Sequence, residues 1–145
     1  MSCSLDANIL LYASDGSSPL NGPAMNFLSR RLEEADLLCL TWLTLMAYQR
    51  IATHARIFQN PLSPAEAWKN IRQLIQLPRV RIIGEQAGFE EEYEGVTGAF
   101  PVRGNLVPDA HLATILRQHG VKTLYSADTD FRKFEFLEVV NPFAG

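Results

Sequence analysis

The stretch Leu37-Leu38-Cys39-Leu40-Thr41 is a continuous run of strand length with no charged residue. Parallel sheets carry helices on both faces, so their strands are buried on both sides and lack the alternation of half-exposed strands. The residues that follow have helical spacing, with apolar side chains at Trp42, Leu45, Met46 and Ala52. We therefore expect a buried strand that leads into a helix over 42–55, whose apolar side packs in the core.

Segments of strand and helix character alternate on both sides of this run. Further strands are predicted at 2–5, 80–83, 121–126 and 137–140, and further helices at 23–32, 64–77, 86–98 and 108–119. Residues 8–13 are apolar and fit either a continued strand or a helix. This order predicts an α/β fold with a mainly parallel central sheet between helical layers. No linker or repeat divides the sequence, so residues 1–145 are expected to form a single domain.

Two of the predicted helix starts differ in their capping residues. In Ser63-Pro64-Ala65-Glu66, Ser63 is placed to cap the helix, Pro64 suits the first turn and Glu66 completes a capping box. In the helix predicted over 108–119, the cap position before Pro108 holds Val107, which is a poor cap. The second start is therefore expected to serve something besides helix stability.

The composition excludes several classes of protein. With 145 residues, of which 47% are hydrophobic and 20% charged, the chain is expected to be globular, not disordered or a long coiled coil. Its 13 Lys and Arg residues against 16 Asp and Glu give a net charge of −3. Nucleic acid would therefore have to be bound through a local basic rim. The candidates for that rim are Arg50, His54, Arg56 and Arg103.

Cysteine usage and hydropathy bear on the compartment. Cys3 and Cys39 each lie in an apolar run, and we expect buried thiols in a reducing, cytoplasmic compartment. The longest uncharged run, residues 37–49, is shorter than the roughly 20 residues that a membrane-spanning helix needs. The N-terminus lacks a basic region. Neither a membrane anchor nor a signal peptide is therefore expected.

Carboxylates lie where the predicted strands end. Asp6 ends the first strand, and Asp128 and Asp130 follow the strand over 121–126. Asp109 lies in the first turn of the helix that leads into that strand. In open parallel sheets ligands bind outside the carboxyl ends of the strands, and a right-handed crossover would bring this helix start to the same edge. We therefore expect these four carboxylates to converge.

Each carboxylate also has a purely structural interpretation. Asp6 would cap a helix, Asp109 would interact with a helix dipole, and Asp128 and Asp130 would form turns. Taken together, however, neighbouring carboxylates repel one another unless a cation compensates their charge. Oxygen-rich clusters of this kind suit Mg²⁺ or Mn²⁺, and such a site activates water and neutralises charge on a phosphodiester.

Other chemistries find less support in the sequence. There is no Gly-rich phosphate-binding loop and no Gly-x-Ser-x-Gly motif. The three histidines, His54, His111 and His119, do not have the spacing of a zinc-binding helix. His111 follows Asp109 by two residues and should point to a different helix face, which favours a role on the surface or behind the ligands.

Four motifs in this order resemble those of a known family. They are Leu5-Asp6-Ala7-Asn8-Ile9-Leu10-Leu11-Tyr12-Ala13, then 50–58, then Asn105-Leu106-Val107-Pro108-Asp109-Ala110-His111-Leu112-Ala113, and Asp128-Thr129-Asp130-Phe131. Each motif alone is weak, but their order and distances are specific. Over nearly its full length the sequence resembles PIN-domain ribonucleases, specifically the VapC-type toxins of bacterial toxin–antitoxin pairs.

The resemblance implies a fold, a site and partners. It implies a three-layer αβα fold in which Asp6, Asp109 and Asp128 are catalytic and hold Mg²⁺ or Mn²⁺, with Asp130 as a further acidic ligand. Asn8 matches a residue that orients the first Asp, and Thr129 is expected to act in the same indirect way. The implied reaction is hydrolysis of phosphodiesters in transfer RNA or another structured RNA. The implied partners are a small VapB-like antitoxin and a second copy in a homodimer. Apolar stripes near 27–28 or Trp42 could serve that dimer, although core packing is the simpler use.

One position departs from the family pattern. The family usually places a Glu just before the Phe/Tyr-x-Arg element, and in Ala47-Tyr48-Gln49-Arg50 that position is Ala47. Its loss leaves open a second interpretation, a PIN-like module that binds RNA or a protein without cutting. A third interpretation, a phosphotransferase with Asp6 as the nucleophile, is disfavoured because Asp6-Ala7-Asn8 is not an Asp-x-Asp pair.

Overall fold

Five parallel strands form the central sheet of the computed structural model, which describes residues 1–144. The strands are β1 (Ser2–Leu5), β2 (Leu37–Leu40), β3 (Val80–Ile82), β4 (Thr123–Tyr125) and β5 (Glu138–Val140). Their order across the sheet is β3-β2-β1-β4-β5, and all four pairings are parallel. The predicted mainly parallel sheet is therefore confirmed.

Six α-helices in the described part of the chain connect these strands. They are α1 (Ala7–Ser14), α2 (Asn21–Glu33), α3 (Trp42–Ala52), α4 (Pro64–Ile75), α5 (Phe89–Thr97) and α6 (Leu106–Gln118). A short 3-10 helix, Thr129–Lys133, lies between β4 and β5. The ambiguous residues 8–13 are helical, because Asp6 caps a helix there and ends β1.

The sheet separates two apolar cores. In β2 the side chains of Leu38 and Leu40 pack in a core with α1, α3 and α4, whereas Cys39 points to the other face, against α6. Alternate residues of a strand point to opposite faces, so a strand buried on both sides needs an unbroken apolar run. This arrangement confirms the three-layer αβα fold.

The helix starts support one prediction and correct another. Both hydrogen bonds of the capping box form at α4, between Ser63 and Glu66. The prediction that Val107 occupies a cap position is wrong, because α6 already begins at Leu106 and Asn105 occupies that position without a side-chain cap. Pro108 lies inside the first turn, where its missing N–H costs no helix hydrogen bond.

The apolar stripe of α3 is only partly buried, which corrects a second expectation. Leu45 and Ala52 are buried, but the side chains of Trp42 and Met46 are each 43% exposed. Trp42 is the first residue of the helix, and its side chain stacks on Trp68 of α4 instead of entering the core.

Both cysteines are buried free thiols, as expected. Burial raises the pKa of the Cys3 thiol to about 11, so this thiol stays protonated and unreactive. Within residues 1–144, no helix has the length and apolar character to cross a membrane.

Candidate functional site

The direction of chain connection reverses between β1 and β4. From β1 the chain builds β2 and β3 on one side of the sheet, and it later adds β4 and β5 on the other. Loops leaving two such neighbouring strands diverge and open a crevice at their carboxyl ends, where ligands bind in open parallel sheets. Asp6 follows β1 at this crevice, and its backbone N–H donates to the carbonyl of Tyr125, 2.9 Å away, at the end of β4.

Three carboxylates meet at this edge. Asp109, Asp128 and Asp130 each offer an oxygen, and these oxygens all lie within 4.8 Å of one another. Asp109 comes from the first turn of α6, while the other two come from the 3-10 helix and its cap. Because α6 leads into β4 and runs antiparallel to it, its N-terminus lies at the carboxyl edge of the sheet. Asp109 and Asp128 are half-buried, and Asp130 is exposed.

Asp6 lies beside this group and is held by a network of hydrogen bonds. Its Oδ1 accepts from the backbone N–H of Ala7 at 2.7 Å, which caps α1. Its Oδ2 accepts from the hydroxyl of Ser126 at 2.7 Å and from the amide of Asn8 at 3.2 Å. Among the described residues, Asp6 does not belong to the group whose oxygens lie within 4.8 Å, but its charge acts on Asp109.

Ser126 is the site residue that the sequence argument missed. Its side chain is buried, and its hydroxyl donates to Asp6 while accepting the backbone N–H of Asp128 at 2.9 Å. The side-chain amide of Asn8 lies 3.4 Å from the same oxygen. The sequence did contain an indication of this role, because Ser126 is a hydroxyl residue directly after a strand and two residues before Asp128.

The electrostatics of the site favour a bound cation. Burial raises the pKa of Asp109 to about 7, and the negative charges of Asp128, Asp6 and Asp130 add to that rise. Burial also raises the pKa of Asp6, against the opposing effect of the hydrogen bonds from Ser126 and Ala7. The raised pKa values of Asp6 and Asp109 fit a site for a hard divalent cation, since the cation supplies positive charge that favours the ionised carboxylates.

The structural interpretations of the carboxylates coexist with this grouping. Asp6 is the N-cap of α1, and Asp128 caps the 3-10 helix by accepting the N–H of Asp130 at 2.9 Å. Asp109 lies in the first turn of α6 but makes no side-chain cap. The caps fix the backbone at both strand ends, and in each capping carboxylate only one oxygen is used for the cap.

The remaining predicted site residues occupy different places. Asn8 reaches both strand ends, because its side-chain oxygen also accepts from the N–H of Ala127 at 3.4 Å. Thr129 is exposed at the start of the 3-10 helix, and Arg103 is exposed in the loop before α6.

The other three candidates for the basic rim lie away from the acidic edge. Arg50 is in the last turn of α3, about 12 Å along the helix from its start at the edge. His54 and Arg56 follow in the next loop, where the His54 ring accepts the N–H of Arg56. All three are exposed.

Comparison with known proteins places this chain in a family. The fold carries acidic residues at the crevice between β1 and β4. A family model described as PIN domain matches residues 4–137. The chain belongs to the PIN-domain family. It is 40% identical to Ribonuclease VapC48 of Mycobacterium tuberculosis over 145 residues, the full length of both chains. It is also 30% identical to Ribonuclease VapC37 of the same organism, over 90% of each chain. The predicted resemblance to VapC-type proteins is therefore confirmed.

Solved structures share the fold at low sequence identity. A chain of VapBC2 from Rickettsia felis, bound to a DNA fragment from the promoter, has a TM-score of 0.70 at 16% identity and covers 97% of this chain and 98% of its own. VapC20 of Mycobacterium tuberculosis, a toxin that cleaves the sarcin-ricin loop, has a TM-score of 0.64 at 18% identity. The match covers 90% of this chain and 92% of VapC20. These likenesses concern the fold.

Proposed function

We propose that this protein is a metal-dependent endoribonuclease and the toxin of a toxin–antitoxin pair. The observation that carries the proposal is the group formed by Asp109, Asp128 and Asp130, with Asp6 beside it, at the crevice between β1 and β4. The similarity of the chain to named VapC ribonucleases, over 90% or more of its length, supports the same activity. We propose Mg²⁺ or Mn²⁺ as the cofactor, because both prefer oxygen ligands.

The residues of the site would have different roles in binding the cation. Asp6, Asp109 and Asp128 would hold the cation, with Asp130 as a further ligand, and Ser126 and Asn8 would keep the carboxylate of Asp6 oriented. A divalent cation bound there supplies positive charge for the scissile phosphodiester and makes water more acidic.

The proposed partners follow from the family. We propose a structured RNA such as transfer RNA as the substrate, a small VapB-like antitoxin that blocks the crevice, and a homodimer as the assembly. The structural neighbours include toxin–antitoxin structures from Rickettsia felis and Haemophilus influenzae. Action in the cytoplasm would suit the free thiols of Cys3 and Cys39.

Two alternatives have less support. A module that only binds RNA or protein would not need three carboxylates whose oxygens lie within 4.8 Å of one another, one of them Asp109, whose pKa burial and the neighbouring charges raise to about 7. A phosphotransferase would need Asp6 as a free nucleophile, but both oxygens of Asp6 accept hydrogen bonds. A carboxylate held in this way is better suited to orient a cation than to attack phosphorus.

The decisive experiment is RNA cleavage by the purified protein. We expect cleavage of total RNA with Mg²⁺ or Mn²⁺, no cleavage with EDTA, and loss of cleavage in Asp6→Asn. Glu94→Gln, which removes an exposed carboxylate of α5, is the matched control and should cut like the parent. Cleavage that continues undiminished in EDTA would contradict the proposal.

A further inference from the structure

Both tryptophans of the chain lie against each other on the surface. The rings of Trp42 and Trp68 are stacked, with centroids 6.2 Å apart and planes inclined by 18°. They are 43% and 40% exposed, so a large part of the stacked pair faces solvent. Burying an aromatic side chain is strongly favourable, so a planar ligand that covered the pair would gain free energy.

The pair lies next to the acidic edge. β1 and β2 pair in the register Ser2 to Leu37 and Cys3 to Leu38. Continued along the strands, this register sets Asp6 opposite Thr41, the residue before Trp42. Neighbouring strands are about 4.8 Å apart, so the backbone at Trp42 begins close to that of Asp6. The start of α3, which carries Trp42, therefore lies beside the strand end that carries Asp6.

Unpaired cations lie beside Trp68. An open groove along α4 is lined by Trp68, Lys69 and Arg72 together with Ala65, Gln73 and Gln76. Among residues 1–144, neither Lys69 nor Arg72 forms an ion pair. Aromatic faces combined with mobile cations and amides are what proteins use to hold single-stranded nucleic acid, by stacking bases and neutralising phosphates.

The charge favours an anionic strand over a second copy of this chain. Leu43 and Met46 are exposed next to Trp42 and would suit an apolar partner. In a two-fold interface centred on the indole pair, however, Lys69 and Arg72 of one copy would face the same residues of the other. Like charges brought together in this way oppose association, whereas phosphates on both sides of a stacked base would pair with them.

We propose that Trp42 and Trp68 form a stacking platform for an unpaired base of the RNA strand and that Lys69 and Arg72 contact its neighbouring phosphates. The proposal rests on the proposed ribonuclease function and adds to its carboxylate site a separate RNA-binding subsite on α3 and α4. A base in a duplex is covered on both faces and cannot stack on the platform.

Intrinsic fluorescence tests this directly, because Trp42 and Trp68 are the only tryptophans in the sequence. Oligoadenylate added in EDTA, where the cation-dependent reaction does not run, should quench the fluorescence of the parent. In anisotropy measurements with labelled oligoadenylate, Trp68→Ala should bind about tenfold more weakly, and Trp68→Phe should recover most of the loss. The double variant Lys69→Gln/Arg72→Gln should bind more weakly and with a smaller salt dependence.

The controls are surface variants away from the pair. Met25→Ala removes an exposed apolar side chain of α2, and Lys122→Gln removes a distant exposed cation; both should bind like the parent. Unchanged affinity in Trp68→Ala together with the double variant would overturn the proposal. So would equal competition by a blunt RNA duplex, or a parent dimer that becomes monomeric in Trp68→Ala while its oligoadenylate affinity stays the same.

The proposed function and the platform can fail separately. A parent that binds oligoadenylate through Trp68 in EDTA, but never cuts RNA with Mg²⁺, would contradict the ribonuclease proposal and support the platform. A parent that cuts RNA, while the Trp68 and Lys69/Arg72 variants bind normally, would contradict only the platform.

Discussion

The hydroxyl of Ser126 donates a hydrogen bond to Oδ2 of Asp6 over 2.7 Å, and these residues are 120 positions apart in the chain. The hydroxyl oxygen of Ser126 in turn accepts the backbone N–H of Asp128 at 2.9 Å. One buried side chain therefore links the carboxylate that follows β1 to the turn that follows β4. The relative position of Asp6 and Asp128 depends on this link.

Replacing Ser126 tests that link. In Ser126→Ala the N–H of Asp128 loses its partner and Asp6 loses a hydrogen bond that opposes the rise in its pKa. We expect the free energy of unfolding to fall by about 1–2 kcal/mol, and RNA cleavage to fall about tenfold. Urea unfolding and a cleavage time course measure the two effects. The exposed Ser29→Ala in α2 is the control, and equal cleavage by both variants would show that the link does not matter for activity.

Removing the charge of Asp109 tests its role as a ligand. Asp109→Asn keeps the shape of the side chain, so the fold should persist while cleavage falls at least about a hundredfold. Circular dichroism and cleavage of total RNA with Mg²⁺ check both statements. A variant that cuts at the rate of the parent would exclude Asp109 from the cation site.

Stability in the absence of metal should depend on pH through Asp109. Its pKa is raised from 3.8 to about 7 in the folded protein, so the folded state holds a proton that the unfolded state releases. Stability is then highest at low pH, falls from about pH 4 to about pH 7, and is constant above that range as far as this group is concerned.

Thermal unfolding in EDTA at a series of pH values measures this slope. Because Asp109 is half-exposed, solvent reduces the effect to about 1 kcal/mol at pH 8. Asp109→Asn should be more stable than the parent at pH 8 and equal to it near pH 4, and Mg²⁺ should reduce the difference. If stability depends on pH equally in the parent and the variant, another group, such as Asp6, causes this dependence.

Ala47 is predicted to occupy the place of an acidic ligand. It is half-buried in α3, which packs against α1 directly after Asp6. With one carboxylate fewer, the RNA-free protein should bind Mg²⁺ or Mn²⁺ weakly and should need a high concentration of either for activity. Ala47→Glu should bind the metal about tenfold more tightly.

Calorimetric titration of Mn²⁺ into parent and variant measures this change. Met46→Glu is the matched control, because it adds the same charge one residue earlier, on an exposed part of α3. Tight metal binding by the parent that Ala47→Glu leaves unchanged would show that Ala47 is not the vacant position.

Short-range sequence patterns predicted most of the fold. The unbroken apolar run at 37–41 predicted a strand buried on both faces, and the alternation of Leu38 and Leu40 with Cys39 between two cores is its structural counterpart. The Ser63–Glu66 capping box was predicted residue for residue. Where local sequence was ambiguous, as at 8–13, the structure has a helix, which Asp6 caps by accepting the N–H of Ala7. At Trp42 the predicted helix was correct. Whether the apolar side chains of this helix are buried depends on contacts with residues far along the chain.

The sequence by itself determined the class of fold, the positions of Asp6, Asp109 and Asp128 at strand and helix ends, and the resemblance to PIN-domain ribonucleases. These features follow from local periodicity and composition, which act between neighbours in the chain. Tertiary structure alone decided that Ser126 joins Asp6 to Asp128, that the pKa of Asp109 rises to about 7, and that Trp42 stacks on Trp68 at the surface. Each of these depends on a distance between groups remote in sequence, and such distances are set only when the strands pair and the helices pack on the sheet.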